Sequence, residues 1–144
     1  MTSITLHVYG TPAPQGSKRH VGGGRLIESS KKVGPWREAV VSEIQRSGFT
    51  DLRMDGPIIV SVIFYLQRPA SHSNTKGIKP SAPVWPAKTP DLDKILRSTF
   101  DALTQSQVIT DDSRIVSTYA CKQYADDRAP GAAIHLTEAL EITA

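Results

Sequence analysis

The chain has 144 residues, of which 39% are hydrophobic, and its formal net charge is +3. This length fits one domain, over residues 1–144, and the single cysteine, Cys121, excludes both an internal disulfide and a cysteine-based zinc site. No apolar run approaches the roughly 18 residues of a membrane helix, and the N-terminus lacks the layout of a secretory signal. We therefore expect an intracellular, cytoplasmic protein.

The charges are unevenly distributed along the chain. Residues 15–37 contain six cations and one acid, and residues 67–88 contain four cations and no acid. Residues 89–127 contain seven aspartates and four cations. Such runs are typical of solvated loops, but they are equally typical of a polyanion-binding surface around a site that needs negative charge. Charge alone leaves both interpretations open.

The first half of the chain predicts one strand, one long loop and one helix. Residues 3–9 alternate between apolar and polar, which predicts a strand with one buried face. Residues 11–34 form a long basic loop with a short extended piece around residues 25–27. Residues 35–47 have one apolar stripe of helical spacing, with Pro35 suited to the first turn and Gly48 to the end.

The second half predicts a central strand, a second loop, a second helix and two further strands. Residues 57–66 are β-branched and aromatic on both faces, as in a central strand. The remaining segments are a proline-rich basic loop at 67–90, a helix at 93–104, a strand at 114–124, a turn at 126–131 and a strand at 132–139. The order β-α-β-α-β-β predicts an α+β (mixed α/β) domain with a small mixed four-stranded sheet and two helices.

Two pairs of aspartates flank the second predicted helix. Asp91 and Asp93 precede it, and Asp111 and Asp112 follow it. Inside a helix, residues i and i+2 diverge by about 200°, whereas in an extended segment they point to the same side. A shared metal site therefore requires the helix to begin at about Asp93, with residues 91 and 92 extended.

The same site also requires the chain to turn back after the helix. A helix of about three turns rises roughly 17 Å. We expect the segment 105–110, partly extended at Val108 and Ile109, to return Asp111 and Asp112 toward the start of the helix. A divalent cation would then offset the repulsion between the converging carboxylates, and oxygen ligands favour magnesium or manganese over zinc. Spacing alone leaves the alternative of helix-start aspartates favoured by the helix dipole and an ordinary Asp-Asp-Ser turn.

These residues resemble the RusA family of Holliday junction resolvases, compact endonucleases often encoded by phages and prophages. The family pattern is Lys-x-Pro-Asp-x-Asp-Asn-x-x-Lys, then Asp-Ala-Leu, then Asp-Asp-x-x-Val. It is matched here by Lys88 to Arg97, Asp101 to Leu103 and Asp111 to Val116. The opening Gly10-Thr11-Pro12-Ala13-Pro14, followed by Gly16 and basic residues, also resembles the family.

The resemblance implies the roles of the site residues. Asp91, Asp93, Asp112 and Arg97 would be catalytic. The three aspartates, with Asp111 beside them, would ligate Mg²⁺, for which Mn²⁺ would substitute. The family lysine one turn after the second aspartate is Arg97 here, at i+4 from Asp93 and so on the same side of the helix. Arginine keeps the charge and can bind a phosphate through two parallel hydrogen bonds, but it does not readily donate a proton.

The resemblance further implies a homodimer that makes paired symmetric nicks in four-way DNA junctions, in recombination and repair within a bacterial host. Two symmetric nicks need two sites related by a two-fold axis. We expect the DNA backbone to be bound by basic residues, namely Lys18, Arg19, Lys31, Lys32, Lys88 and Lys94. The rival hypotheses are a non-catalytic DNA-binding protein and a nuclease for other branched or flap DNA.

Three other residues have simpler interpretations. His135 lies on a predicted strand, opposite the apolar alternation, and is interpreted as a solvated or packed structural residue. Cys121 is interpreted as a buried small hydrophobic residue within a strand. Trp85, in the proline-rich loop, would either stack on a ligand or pack at a dimer interface.

Overall fold

The fold consists of two helices, a four-stranded sheet and two short ribbons, seen in a computed structural model that describes residues 2–16, 18–20, 26–28, 31–49 and 51–139. For residues 18–20 and 26–28 only the backbone is described. The elements are β1 Ser3–Tyr9, β2 Lys18–His20, β3 Leu26–Glu28, α1 Val33–Arg46, β4 Ile58–Leu66, β5 Ser73–Asn74, β6 Gly77–Ile78, α2 Leu92–Gln105, β7 Ile115–Tyr124 and β8 Gly131–Glu138. Single turns of 3₁₀ helix lie at Ala70–His72 and Asp112–Arg114.

The main sheet is mixed and has the order β1-β8-β4-β7. Strands β4 and β7 are parallel, with Ile58 beside Ile115 and Leu66 beside Tyr124. Strand β8 is antiparallel to both β1 and β4. The predicted β-α-β-α-β-β order and the mixed four-stranded α+β sheet are therefore confirmed. Strand β4 lies between two others, as its apolar residues on both faces predicted.

One face of the sheet carries the core. Strand β4 alternates strictly between buried and half-buried residues. Strand β1 alternates between exposed and buried residues, and its aliphatic residues are the buried ones. Both helices contribute to this core, α1 through Trp36, which is 1% exposed, and α2 through Ile95. Burial of one such large apolar side chain stabilises the fold by about 1.5–3 kcal/mol.

The edge formed by β1 and β8 also carries a polar cluster. The His135 ring lies within hydrogen-bond distance of the Ser3 and Thr5 hydroxyl oxygens, at 3.1 and 2.9 Å. These bonds join the two neighbouring strands, so the structural interpretation of His135 is confirmed. Cys121 is half-buried rather than buried, because β7 is an end strand with exposed residues on both faces.

Two buried hydroxyl groups of α2 are hydrogen-bonded, one to α1 and the other to the segment after β1. The Trp36 indole donates to the Thr99 hydroxyl at 3.1 Å, and the Ser98 hydroxyl donates to the Ala13 carbonyl at 2.6 Å. Buried polar groups are stable only when they are hydrogen-bonded in this way.

Helix α1 begins two residues before its predicted start. Gly48, with a φ of +80°, follows its end and has the backbone conformation for which glycine is favoured.

Two short ribbons lie in the segments predicted as loops. Strand β2 pairs with β3, and β5 pairs with β6, both antiparallel. The extended piece expected around residues 25–27 corresponds to β3, shifted by one residue. The ribbons are two or three residues long, which is too short for an alternating pattern to be recognised. No helix in the described part of the chain is long and apolar enough to cross a membrane.

Candidate active site

Asp91 stands directly before α2 with an exposed carboxylate. Its backbone is extended, with φ −67° and ψ 138°, and its side chain does not cap the helix. The backbone carbonyl of Asp91 instead accepts from the amides of Lys94 and Ile95, both at 3.1 Å. The carboxylate lies 3.5 Å from the Lys94 ammonium, an exposed ion pair. The capping alternative therefore does not apply to Asp91, whose carboxylate faces solvent beside a lysine.

Asp93 is the second residue of α2, so the helix begins one residue earlier than expected. Residues 91 and 92 were expected to be extended, but only Asp91 is, because Leu92 is the first residue of the helix. Its side chain is exposed and has no ion pair or hydrogen bond within the described residues. Leu92, between the two aspartates, packs against the core. Two exposed carboxylates thus occupy the same end of α2, and the apolar residue between them fixes that end to the domain.

A lysine from β7 anchors the segment that leads to Asp91. The Lys122 ammonium donates to the carbonyls of Lys88 and Pro90, at 2.8 and 2.9 Å. Lys122 could not be recognised from the sequence, because a lone lysine in a strand carries no signal of its tertiary partner. Its two bonds place the Asp91 segment at the C-terminal end of β7.

Cations and the first basic loop surround the same helix end. Lys88, Lys94 and Arg97 are all exposed. The amide of Gln15 donates to the Lys94 carbonyl at 3.0 Å, which brings the beginning of the basic segment 15–37 against the start of α2. A phosphodiester backbone at Asp91 and Asp93 would therefore lie among positive charges.

The positions of the other predicted DNA-binding residues relative to Asp91 and Asp93 are less closely defined. Lys31 and Lys32 are exposed immediately before α1, beside a surface cavity of about 480 Å³ that Tyr9 and Trp36 also line. Lys18 and Arg19 lie in β2, where only the backbone is described. Their contribution to DNA binding stays a prediction.

Asp111 and Asp112 lie at a different place, immediately before β7. The Asp111 carboxylate caps the 3₁₀ turn by accepting from the Ser113 amide at 2.9 Å. Hydrogen bonds from the Ser113 hydroxyl and amide hold the pKa of the Asp111 carboxyl below its usual value. Asp112 is exposed and has no side-chain partner among the described residues. Asp111 is thus engaged locally, whereas Asp112 is free to bind a ligand.

The expected return of this pair toward the start of α2 is wrong. The Thr110 amide donates to the Met54 carbonyl at 3.0 Å, and Ile109 forms a parallel bridge with Met54. Val108 and Ile109 are fully buried, so burial of these apolar side chains holds the segment beside the chain that enters β4. Asp112 therefore lies at the N-terminal end of β7.

The two aspartate pairs lie at opposite ends of β7. The strand runs from Ile115 to Tyr124, and Lys122, which holds the Asp91 segment, is near its C-terminal end. At about 3.3 Å per residue, Ile115 and Lys122 are separated by roughly 23 Å. Accordingly, no group of three or more His, Cys, Asp or Glu residues in the described part of one chain could hold a metal ion.

The donor chemistry at the start of α2 nevertheless suits magnesium. Asp91 and Asp93 supply exposed oxygen donors, and magnesium is commonly held by one or two carboxylates together with waters and substrate phosphates. The exposed oxygen donors of Asp91 and Asp93 therefore fit such an ion at this helix end.

Comparison with known proteins identifies the family. The model of the family described as Endodeoxyribonuclease RusA matches residues 9–137, which includes both aspartate pairs and the anchoring Lys122. No curated protein matches the chain. The family match covers most of the 144 residues. The chain therefore belongs to the RusA endodeoxyribonuclease family, whose members are hydrolases acting on DNA.

Proposed function

We propose that this endodeoxyribonuclease resolves four-way (Holliday) DNA junctions by paired symmetric nicks, as a homodimer with Mg²⁺ as cofactor and Mn²⁺ as a substitute. One observation carries the proposal. Asp91 and Asp93 present exposed carboxylates that do not cap the helix, and these lie among cations at the start of α2. The family resemblance supports a phage or prophage origin and a role in recombination in the cytoplasm of a bacterial host.

The residues at this helix end have different roles in the proposed reaction. A bound magnesium ion would activate a water and offset charge on the scissile phosphate. Asp91 and Asp93 would hold the ion, and Arg97 and Lys94 would donate hydrogen bonds to phosphate oxygens on which charge develops. Lys88 binds the DNA backbone nearby, and the basic loop with Lys18, Arg19, Lys31 and Lys32 extends this contact.

A second copy of the chain accounts for Asp112, which is remote from Asp91 within one chain. Strand β7 ends the order of the main sheet, so one of its edges has no partner strand among the described residues. Residues 116–119 of β7 are exposed on both faces, and Val116 and Tyr119 are 63% and 66% exposed. An unprotected strand edge with exposed apolar residues is a surface on which another strand readily pairs.

Antiparallel pairing of two β7 edges would assemble the site from both copies. A two-fold axis near Ser117 and Thr118 sets Val116 of each copy opposite Tyr119 of the other. The same pairing brings Asp112 of one copy to the C-terminal end of the other copy's β7, where Asp91 and Asp93 lie. Each composite site then contains three carboxylates, and two such sites are related by the two-fold axis.

The direct test of the proposed function is a cleavage assay with three substrates. A synthetic four-way junction, a flap and a linear duplex are incubated with the protein in Mg²⁺, in Mn²⁺ and in EDTA. We expect paired nicks at symmetric positions of the junction in either metal and none in EDTA. Equal cutting of the flap or duplex would favour the branched-DNA rival, and cutting in EDTA would overturn the metal dependence.

A further inference from the structure

An aromatic pocket lies beside the candidate active site, at the ends of β4 and β7. Its volume is about 370 Å³, and its lining includes Tyr65, Trp85, Gln123, Asp127 and Arg128. Trp85 is 60% exposed and the adjacent Val84 is 74% exposed. Large apolar side chains left this open, next to a concave polar surface, are typical of a site that receives a ligand.

The segment that carries Trp85 is held in place by Arg68. The Arg68 guanidinium donates to both carboxylate oxygens of Asp126, at 2.8 and 3.0 Å, and to the Pro83 carbonyl at 2.6 Å. It also lies over the Tyr124 ring, 4.1 Å from its centroid. These contacts connect the Trp85 segment to the end of β7, so the pocket is formed before any ligand arrives.

Arg128 borders the same pocket and stacks on one of its aromatic rings. Its guanidinium lies over the Tyr65 ring, 3.6 Å from the centroid. The Nε atom of Arg128 is buried and has no hydrogen-bond partner within the described residues. The pocket therefore has stacking surfaces in Trp85 and in the Tyr65–Arg128 pair, and polar groups in Gln123 and Asp127.

The pocket adjoins the path that a DNA strand would take through the site. Trp85 precedes Lys88 by three residues, and the Ala87 amide donates to the Trp85 carbonyl at 2.9 Å. Lys122 holds the carbonyls of Lys88 and Pro90, immediately before Asp91. Asp91 follows Trp85 by six residues, so their Cα atoms are at most roughly 21 Å apart, and a strand bound at Asp91 would be within reach of Trp85.

We propose that this pocket binds a nucleobase of the DNA strand that has left the duplex stack. Proteins recognise such bases by stacking them on aromatic rings and arginine planes and by hydrogen bonds to their edges. Bases near a junction unstack more readily than bases inside a duplex, so the pocket favours branched over linear DNA. The inference depends on the proposed function in one respect only, namely that the DNA that supplies the base is a four-way junction.

The test uses tryptophan fluorescence and binding without cleavage. The chain has two tryptophans, of which Trp36 is buried and Trp85 is exposed, so quenching on DNA addition reports chiefly on Trp85. The full-length protein is titrated with a synthetic four-way junction in EDTA. We expect strong quenching in the native protein and little in Trp85→Phe, which retains only Trp36.

Binding affinities separate stacking from general DNA attraction. Trp85→Ala should weaken junction binding by about 5- to 150-fold, the usual effect of removing one stacked base contact. Trp85→Phe should stay close to the native affinity, because a ring remains. The matched control is Ile78→Ala, another exposed apolar residue of the same 67–90 segment, which should bind the junction as the native protein does.

Three results would overturn the inference. One is the absence of quenching when the junction is bound, and another is native affinity in Trp85→Ala. The third is conversion of the Trp85→Ala protein from dimer to monomer, measured by sedimentation, because Trp85 would then be a subunit contact. Quenching without any nicking in magnesium would instead leave the pocket intact and count against the proposed junction resolution.

Discussion

The Lys122 ammonium donates a hydrogen bond to the Pro90 carbonyl at 2.9 Å, one residue before Asp91. A second bond to the Lys88 carbonyl, at 2.8 Å, fixes the same segment. The position of Asp91 therefore depends on a side chain from β7, more than 30 residues further along the chain. This connection makes Lys122 a positioning residue for the candidate active site.

Replacing Lys122 should impair nicking far more than binding. In Lys122→Met the stem is kept and both carbonyl bonds are lost, so Asp91 is held less accurately, and misplacement of about 1 Å costs up to about 100-fold in rate. The measurement is single-turnover nicking of a four-way junction beside its dissociation constant. Lys79→Met is the matched control, because Lys79 also donates to a carbonyl, that of Ser71, at 2.8 Å. Equal rate losses in the two variants would contradict the positioning role.

The two aspartates at the start of α2 should be indispensable for nicking. Asp91→Asn and Asp93→Asn remove charge from metal ligands, so we expect nicking to fall by more than about 100-fold in magnesium while junction binding persists. Asp51→Asn alters an exposed aspartate between α1 and β4 and serves as the control. Normal cleavage by Asp91→Asn would refute the assignment.

Asp111 and Asp112 should differ although they are neighbours. Asp112 has no local side-chain partner, whereas Asp111 accepts from the Ser113 amide, a bond that the amide oxygen of asparagine can still make. Asp112→Asn should therefore abolish nicking, and Asp111→Asn should retain most of it. The same nicking assay measures both, and an equal loss in the two variants would show that Asp111 is also a ligand.

Arg97 should act through its charge. Removing one group that stabilises charge in a transition state typically costs about 100- to 1000-fold in rate, so Arg97→Ala should lose activity on this scale. Arg97→Lys, which restores the family residue, should stay within about 10-fold of native. Arg46→Ala, an exposed arginine paired with Glu43 on α1, controls for loss of general positive charge. Failure of lysine to restore activity would show that the two hydrogen bonds of arginine are required.

The Arg68–Asp126 pair should make stability depend on pH in acid. The hydrogen bond from the Arg68 guanidinium holds the pKa of Asp126 below the ordinary value of 3.8. A depressed pKa in the folded state contributes stability that is present above pH 3.8 and is lost as pH falls through the folded pKa. Urea unfolding of native protein and Asp126→Asn should differ at pH 6, and the difference should shrink as pH falls from 3.8 through the folded pKa. A difference that stays constant with pH would contradict this origin.

Sequence patterns predicted the strands and helices because burial of one face of an element places apolar residues at regular intervals along the sequence. Ile4, Leu6 and Val8 show this for β1, and the start of α2 was displaced by only one residue. The same patterns could not show where a short apolar segment is buried. The segment with Val108 and Ile109 was expected to carry Asp111 and Asp112 back toward the start of α2, yet it packs beside Met54. Local sequence encodes which residues are buried, whereas the partner they are buried against is a tertiary property.

The composite site can be tested by mixing two inactive variants. In a mixed dimer of Asp91→Asn and Asp112→Asn, one composite site carries both changes and the other carries neither, so the second is native. We expect re-associated mixtures to recover about a quarter of the native sites, giving single nicks in junction DNA, since half of the dimers are mixed. Mixtures of Asp91→Asn and Asp93→Asn should recover nothing, because both changes lie at the same helix end. No recovery in the first mixture, with mixed dimers present, would contradict a site shared between two copies.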